Sequence, residues 1–195
     1  MTADKDIWNE FKNEEADALS FIYSQNIDFL FFYGKRFTSD EEFILDIIQD
    51  LFYDLIKYRK TVSQTDNIRL YLLKSFRRKL LRGIEIKQKL TKLDSDYNQE
   101  PEIVFSIEEE MINDEEQSIR TKFIRRGLQA LNAKQREVIY YKFTLGYDYD
   151  QICEIMSINY DSARQLVSRG ISSLKQFMSE NKFILLLIYR RLITK

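Results

Sequence analysis

Apolar residues recur every three or four positions along most of the chain, which is the spacing of helices with one buried face. The clearest run is Ile68, Leu72, Phe76, Leu80 and Ile84, with one apolar side chain at every fourth position. Glycine and proline, which interrupt helices, number only five and one in 195 residues. The pattern therefore predicts an all-α protein.

Four helices are predicted before residue 93, with approximate bounds Trp8–Glu15, Ala16–Phe37, Ser39–Lys60 and Asn67 onward. In the third helix, Ser39 is a suitable N-cap and Glu42 stands at the capping-box distance. Its predicted buried stripe is Ile44, Ile47, Ile48, Leu51, Leu55 and Ile56.

Four further helices are predicted at about 114–131, 134–144, 148–156 and 160–178. The first of them is marked by Phe123, Ile124, Leu128 and Leu131. The second is marked by Val138, Ile139 and Phe143, with Gly146 as its stop.

The net charge of −1 conceals four blocks of alternating sign. Residues 1–60 hold 13 acidic and 7 basic residues, and residues 94–119 hold 10 acidic and none basic. Residues 61–93 hold 9 basic and 2 acidic residues, and residues 120–195 hold 14 basic and 6 acidic. Two basic blocks on either side of an acidic one suggest two separate contacts with a polyanion.

The segment Leu93–Ser118 contains the only proline, Pro101, and no basic residue, so we interpret it as an acidic linker. Part of it has a capping-box spacing, at Ser106–Glu109. The predicted organisation is two small helical domains, residues 1–92 and 119–195, joined by the linker at 93–118.

The composition argues against an enzyme. The chain has no histidine, which is the usual general base and the commonest metal ligand. It has no glycine-rich phosphate loop and no nucleophile elbow. The one cysteine, Cys153, follows Ile152 on a predicted helix, as a small buried residue does. We therefore expect no metal, no cofactor and no small-molecule substrate.

The chain ends favour a cytoplasmic protein without membrane insertion. The first 15 residues are acidic and lack the apolar core of a signal peptide. The longest apolar run, Phe183–Tyr189, is far shorter than the roughly 20 residues that a membrane-spanning helix needs. This apolar tail is interpreted either as a final packed helix or as a docking patch.

The stretch 149–176 contains two short helical patterns joined at Ser157–Asn159. Asn159 is a suitable N-cap for the second helix. The polar side chains of that helix begin in its first turns and comprise Tyr160, Asp161, Ser162, Arg164, Gln165, Ser168 and Arg169. A helix N-terminus favours phosphate, and Arg and Gln bond base edges in a major groove. The layout is typical of a DNA-binding helix-turn-helix, with a solvated helical hairpin as the alternative.

An acidic stripe is predicted on the third helix. Asp46, Asp50 and Asp54 are spaced four residues apart, beside Gln49 and Tyr53. Like charges at this spacing destabilise a helix slightly. The stripe is either a solvated face or a docking surface for a basic partner.

The fourth helix has the opposite charge. Its basic residues are Arg69, Lys74, Arg77, Arg78, Lys79, Arg82, Lys87, Lys89 and Lys92. Such residues neutralise phosphates, and the interspersed Tyr71 and Phe76 are either core side chains or platforms for unpaired bases. The preceding loop, Lys60–Asn67, is rich in hydrogen-bonding side chains suited to an extruded base.

Three segments, in this order, resemble the extracytoplasmic-function group of the sigma-70 family of RNA polymerase sigma factors. Residues 18–37 resemble the start of region 2, residues 46–59 the segment that docks on the polymerase clamp, and residues 131–175 region 4. The sequence departs from the family at Ser157, where the family often has glycine, and at Arg78 and Arg82, where it often has Asn and Asp.

The resemblance implies a subunit that directs core RNA polymerase to promoter DNA through contacts with the clamp and flap regions, with an anti-sigma factor as a candidate partner. Docking on the polymerase falls on Asp46, Gln49, Asp50, Phe52, Tyr53 and Asp54, with Phe52 acting from the core. Contact with the melted minus-ten element falls on Lys60, Ser63, Gln64, Asn67, Lys74, Arg77 and Arg78. Contact with the duplex minus-thirty-five element falls on Tyr160, Asp161, Ser162, Arg164, Gln165, Ser168 and Arg169.

Two other function classes remain as alternatives. A free-standing helix-turn-helix regulator would also bind duplex DNA, but it needs neither the acidic stripe nor the basic fourth helix. A helical adaptor that binds only protein predicts no DNA affinity and no loss of binding with salt.

Overall fold

The computed structural model describes residues 4–91 and 123–181. The chain divides into two compact units, with the boundary between Val104 and Phe105. The first unit contains helices α1 (Asp4–Lys12), α2 (Ala16–Gly34), α3 (Glu41–Lys57) and α4 (Ile68–Thr91). The second contains α5 (described over residues 123–129), α6 (Ala133–Ile139), a π-helical turn (Tyr140–Thr144), α7 (Tyr149–Met156) and α8 (Tyr160–Glu180).

The predicted all-α class is confirmed, since the described residues form helices and no strand. The boundary between the units falls inside the segment predicted to be the linker. The bounds 1–92 and 119–195 for the two domains stay a prediction.

The first unit is a bundle in which α2, α3 and α4 pack on one another and α1 packs on α2 and α4. The five apolar residues spaced every fourth position along α4 are all buried, which confirms the prediction from their periodicity. Their neighbours in the core include Trp8, Leu30, Tyr33, Ile44 and Ile48, each at most 1% exposed. Large apolar side chains that lose this much surface each contribute about 1.5–3 kcal/mol to folding.

Three details predicted for this unit are wrong. The N-cap of α3 is Asp40 rather than Ser39, because the Asp40 carboxylate accepts a hydrogen bond from the backbone N–H of Phe43 at 3.0 Å. Ile56 is 40% exposed, because it lies about 100° around the helix from the buried face. The first helix spans Asp4–Lys12 rather than 8–15, and Glu14 beyond it has a left-handed φ of 71°.

The π-helical turn explains the largest error in the second unit. Phe143 is one of the apolar residues that mark the predicted helix at 134–144, but it is 62% exposed. The backbone N–H of Leu145 bonds to the carbonyl of Tyr140, five residues earlier, at 3.1 Å. The wider turn shifts the helical register, so that Tyr140 and Tyr141 enter the core instead of Phe143. Gly146, with φ of 72°, follows the turn as the predicted stop.

Helices α7 and α8 form the predicted helix-turn-helix. The N-cap of α8 is Asn159, whose side chain accepts from the Ser162 backbone N–H at 2.8 Å, as predicted. Ser157, where the sequence departs from the family, has left-handed backbone angles of φ 55° and ψ 45°. Glycine adopts this conformation without the clash that a Cβ causes.

Close packing accounts for Gly170, a helix-weakening residue in the middle of α8. Gly170 is buried where α8 packs on α6, and a Cβ there would lie 3.0 Å from Cγ1 of Ile139. The loss of helix propensity, about 1 kcal/mol relative to alanine, is therefore offset by a closer approach of the two helices.

Several predicted features lie outside the described residues: the first part of the helix at 114–131, the capping signal at 106–109, the linker at 93–118 and the apolar tail at 183–189. In the described part of α5, Ile124, one of the apolar residues that mark the predicted helix, is 47% exposed. No helix in the described ranges is both long and apolar enough to cross a membrane.

Candidate nucleic-acid and polymerase interfaces

The outer face of α8 presents most of the residues predicted to bind duplex DNA. Of that set, the exposed members are Tyr160, Asp161, Arg164, Gln165, Ser168 and Arg169. Ser162 is half-buried, and its backbone N–H is bonded to the N-cap Asn159. Ser162 therefore contributes to the start of the helix rather than to its exposed surface.

A groove runs along this face and includes residues that the sequence analysis missed. Its polar lining comprises Tyr149, Asp161, Arg164, Gln165, Ser168, Ser172 and Lys175. Ser172 and Lys175 continue the three- and four-residue spacing of Asp161, Gln165 and Ser168, so extending that series would have found them. Arg169 and Tyr160 are exposed but do not line the groove.

Tyr149 connects the groove to the rest of the second unit. Its ring meets that of Tyr160 edge-on, with centroids 5.4 Å apart. The Lys142 ammonium lies 4.8 Å from the centroid of the Tyr149 ring. The surface around the N-terminal end of the groove thus combines a cation, two aromatic rings and the start of a helix, which suits a phosphate backbone.

The acidic stripe of α3 divides into two parts. Asp46, Gln49, Asp50 and Tyr53 are exposed and form what we call the acidic patch. Within residues 4–91 and 123–181, neither Asp46 nor Asp50 forms an ion pair. Asp54 differs, because its carboxylate lies 2.6 Å from the Lys79 ammonium and so ties α3 to α4.

Phe52 supports the acidic patch from inside. It is 5% exposed, and its ring centroid lies 4.9 Å from that of Tyr23 on α2. The predicted location of Phe52 in the core is confirmed, and a role in docking would be to hold the exposed residues in place.

Several basic residues of α4 are engaged inside the first unit. Arg69 donates to the Gln25 carbonyl at 3.3 Å and lies 5.0 Å from the ring centroid of Phe29. Ion pairs of this helix within the first unit include those of Lys79 with Asp54, Lys87 with Asp40, and Lys89 with Glu85. Lys74, Arg78 and Arg82 are exposed on the same helix, and Arg77 is half-buried.

The two aromatic residues among these cations differ in burial. Phe76 is fully buried. Tyr71 is half-buried, with its ring centroid 4.8 Å from that of Trp8, and burial raises the pKa of its hydroxyl. Of the two interpretations left open by the sequence, core packing is correct for Phe76.

The loop between α3 and α4, predicted to capture an unpaired base, is held by its main chain. The indole N–H of Trp8 donates to the Ser63 carbonyl at 2.9 Å, and the Lys12 ammonium donates to the Val62 carbonyl at 2.9 Å. The side chains of Ser63 and Gln64 are exposed. The loop therefore combines a fixed backbone with polar side chains that face solvent.

The two ends of this loop are occupied by intramolecular contacts. Lys60 is 3.6 Å from Glu14, which also pairs with Arg59 at 2.7 Å. The hydrogen bond from Arg59 and its charge lower the pKa of the Glu14 carboxyl. At the other end, the Asn67 side chain accepts from the Leu70 backbone N–H at 3.0 Å, so it caps α4. Asn67 is therefore a helix cap in this structure.

A buried polar group in the second unit was not found from the sequence. Arg136 and Glu137 are buried, and burial lowers the pKa of the Arg136 guanidinium. Arg136 Nε donates to the Leu131 carbonyl at 3.1 Å, and the Tyr141 hydroxyl donates to Glu137 at 2.6 Å. These bonds satisfy charged groups that are costly to bury, and they fix α6 against the turn that follows it.

Cys153 is half-buried rather than fully buried. Burial and the nearby carboxylates of Asp150 and Asp148 raise the pKa of its thiol. A thiol that stays protonated is a poor nucleophile and a poor metal ligand. This supports its interpretation as a packing residue.

Residues 124–174 match the family model of sigma-70 region 4. They contain α6, the π-helical turn, α7 and most of α8. No curated protein matches the chain.

Two solved structures have a similar fold. One is CnrH in complex with the cytosolic domain of CnrY, with a TM-score of 0.59 and 13% identity over 92% of this chain and 99% of that chain. The other is the sigma factor RpoE in complex with the anti-sigma factor NepR from Bartonella quintana, with a TM-score of 0.53 and 16% identity over 87% of this chain and 97% of that chain. The second unit therefore matches sigma-70 region 4 in sequence, and the all-helical fold of the chain is similar to the folds of these two structures.

Proposed function

We propose that this protein is an RNA polymerase sigma factor of the extracytoplasmic-function group, which directs core polymerase to specific promoters and promotes melting of the DNA. The observation that supports the proposal is that a region 4 match occupies the second unit, while the fold is similar to that of the sigma factor RpoE over 87% of the chain. A free-standing helix-turn-helix regulator would account for the second unit only.

We assign contact with the duplex minus-thirty-five element to the groove along α8. Arg164 and Gln165 are exposed near the start of the helix, where they can reach base edges in a major groove. Lys175, three turns further on, is placed to contact a phosphate. Phosphate contacts make such binding fall steeply with salt.

We assign docking on the polymerase clamp to the acidic patch of α3. Its two unpaired carboxylates and the exposed ring of Tyr53, at 65% exposure, suit a partner surface that is basic and partly apolar. Docking on the flap is assigned to the second unit, without a residue assignment.

We assign melting of the minus-ten element to the loop Lys60–Asn67 and the exposed cations of α4. Lys74, Arg77 and Arg78 would bind the backbone of the displaced strand, and Ser63 and Gln64 would bond an extruded base. Binding energy released on the single strand offsets the few kcal/mol that unstacking costs. The protein therefore needs no catalytic group of its own, and we propose that it is not an enzyme.

The remaining assignments follow from this function. A protein that works on polymerase and chromosomal DNA would act in the cytoplasm. Both similar structures above are complexes, with the cytosolic domain of CnrY and with the anti-sigma factor NepR respectively. We propose an anti-sigma factor as a regulatory partner of this chain as well.

Run-off transcription tests the proposal. Core RNA polymerase is incubated with the full chain and sheared genomic DNA, and transcript starts are mapped. Discrete new starts that share two upstream elements would establish the function. If no new starts appear and the chain does not bind core polymerase, the regulator or adaptor interpretation takes its place.

A further inference from the structure

One face of α1 carries three hydrogen-bonding side chains aligned with the loop that follows α3. Asp4, Trp8 and Lys12 are spaced four residues apart, so they lie in a row along the helix. Lys12 bonds the carbonyl of Val62, and Trp8 bonds that of Ser63. We call these three side chains the loop clamp.

Asp4 completes the row where the loop ends. Its Oδ2 accepts from the backbone N–H of Ile68 at 2.8 Å, so it caps the first turn of α4 from a distance of 64 residues in sequence. All three contacts of the clamp are made to main-chain atoms. The clamp therefore fixes the path of the loop and leaves the side chains of the loop uninvolved.

Trp8 is a rigid anchor for this arrangement. Its side chain is fully buried, with the ring centroid 5.4 Å from Phe11 and 4.8 Å from Tyr71 on α4. A buried indole N–H requires an acceptor, and the Ser63 carbonyl is the one it has. The ring connects α1, the loop and the predicted strand-binding helix at a single point.

The free side chains of the loop are those that a base would meet. Ser63 and Gln64 are exposed, whereas Thr65 is occupied: its hydroxyl accepts from the Asn67 N–H and donates to the Asn67 carbonyl, both at 3.0 Å. Fixing the backbone in advance reduces the ordering that binding must impose, and it holds Ser63 and Gln64 in one place relative to a bound base. By fixing the backbone of the loop, the hydrogen bonds of the clamp determine where Ser63 and Gln64 lie when a base binds.

We propose that the loop clamp is a positioning element for base recognition, with Trp8 and Lys12 as positioning residues that do not touch the DNA themselves. This inference rests on the function proposed above for the loop. It assigns to α1 a part in promoter selectivity that is separate from folding of the bundle.

The test compares Trp8→Phe and Lys12→Met with wild type and with Lys5→Met. The first change keeps an aromatic ring and removes the donor, and the second keeps the stem of the side chain and removes the ammonium. Lys5 is exposed on the same helix and forms no hydrogen bond or ion pair within the described residues, so Lys5→Met is a matched control for Lys12→Met.

Each full-length variant is assembled with core polymerase on forked promoter DNA from a start mapped by run-off transcription. Each unpaired non-template base of the minus-ten element is replaced in turn. The selectivity ratio at that position is the affinity for DNA with the native base divided by the affinity for DNA with the replacement. Loss of one hydrogen bond should lower this ratio by about threefold to tenfold at the captured position. Affinity for duplex minus-thirty-five DNA should not change, and Lys5→Met should match wild type.

A structural role alone would lower affinity for all forked DNA by the same factor and leave the ratio intact, and that result would overturn the inference. If the wild-type ratio is near one at every unpaired position, the loop does not capture a base. The function proposed for the loop is then wrong, and so is the positioning role of the clamp. If Trp8→Phe does not fold, Lys12→Met decides the question, because Lys12 is only half-buried and its replacement removes no core side chain.

Discussion

Reversing one charge in the acidic patch should separate docking from folding. Asp50 is exposed and lies four residues from both Asp46 and Asp54, so α3 contains two like-charge contacts that each cost a few tenths of a kcal/mol. Lysine at position 50 would turn both contacts into attractions. We therefore expect Asp50→Lys to raise the free energy of unfolding of the first unit by about 0.5–1 kcal/mol.

The same substitution should strongly weaken binding to core polymerase. Breaking an interfacial charge pair costs about 2–5 kcal/mol, which corresponds to at least a thirtyfold loss of affinity. A gain in stability together with a loss of binding cannot arise from misfolding. This opposition of signs makes the substitution more informative than one that merely abolishes activity.

Two measurements on the same protein preparation decide the outcome. Urea denaturation followed by far-ultraviolet circular dichroism gives the stability, and competition against labelled wild-type chain gives the affinity for core polymerase. Asp28→Lys is the control, because Asp28 is also an exposed helical aspartate, on α2 rather than in the acidic patch. If Asp50→Lys binds polymerase within threefold of Asp28→Lys, the docking assignment is wrong.

Three further substitutions test other parts of the structure. Arg164→Ala should weaken binding to duplex minus-thirty-five DNA by about 1–3 kcal/mol at fixed salt, measured by fluorescence anisotropy, and an unchanged affinity would place the DNA-binding surface elsewhere. Ser157→Gly should raise the free energy of unfolding of the second unit by up to about 1 kcal/mol in urea denaturation, because it relieves the left-handed backbone, and a loss of stability would contradict this account. Gly34→Ala should lower the free energy of unfolding by about 1–3 kcal/mol, because a Cβ would lie 2.7 Å from Cγ2 of Ile44, and an unchanged melting temperature by calorimetry would show that the end of α2 shifts freely.

The helices that periodicity predicted well are those with an uninterrupted α-helical repeat. The series from Ile68 to Ile84 is buried throughout, because one face of a regular helix stays in register over its whole length. The pattern does not hold at Phe143, because the π-helical turn adds a residue and the α-helical repeat no longer applies there. Choosing Ser39 over Asp40 as the N-cap fails for another reason: both residue types cap helices well, so residue type alone does not distinguish two adjacent candidates.

Contacts between distant segments could not be predicted from local spacing. The pairing of Asp54 with Lys79 reduces the acidic stripe to a smaller patch, and nothing in the spacing of either helix indicates it. The loop clamp is a stronger case, because Trp8 and Ser63 are 55 residues apart. The sequence indicates which residue types are available for DNA, whereas the fold determines which of them remain free.

The hydrogen bond between Trp8 and the loop also makes tryptophan fluorescence a probe of the first unit. Trp8 is the only tryptophan in the chain, so indole emission originates entirely in the first unit. Its wavelength responds to the polarity and hydrogen bonding around that one ring, and the helix-turn-helix unit contributes nothing to it. A denaturation experiment recorded with two optical signals, one of them indole emission, therefore distinguishes unfolding of the first unit from unfolding of the second. A rearrangement of the loop on meeting a DNA strand would likewise be visible in real time, in the unlabelled protein.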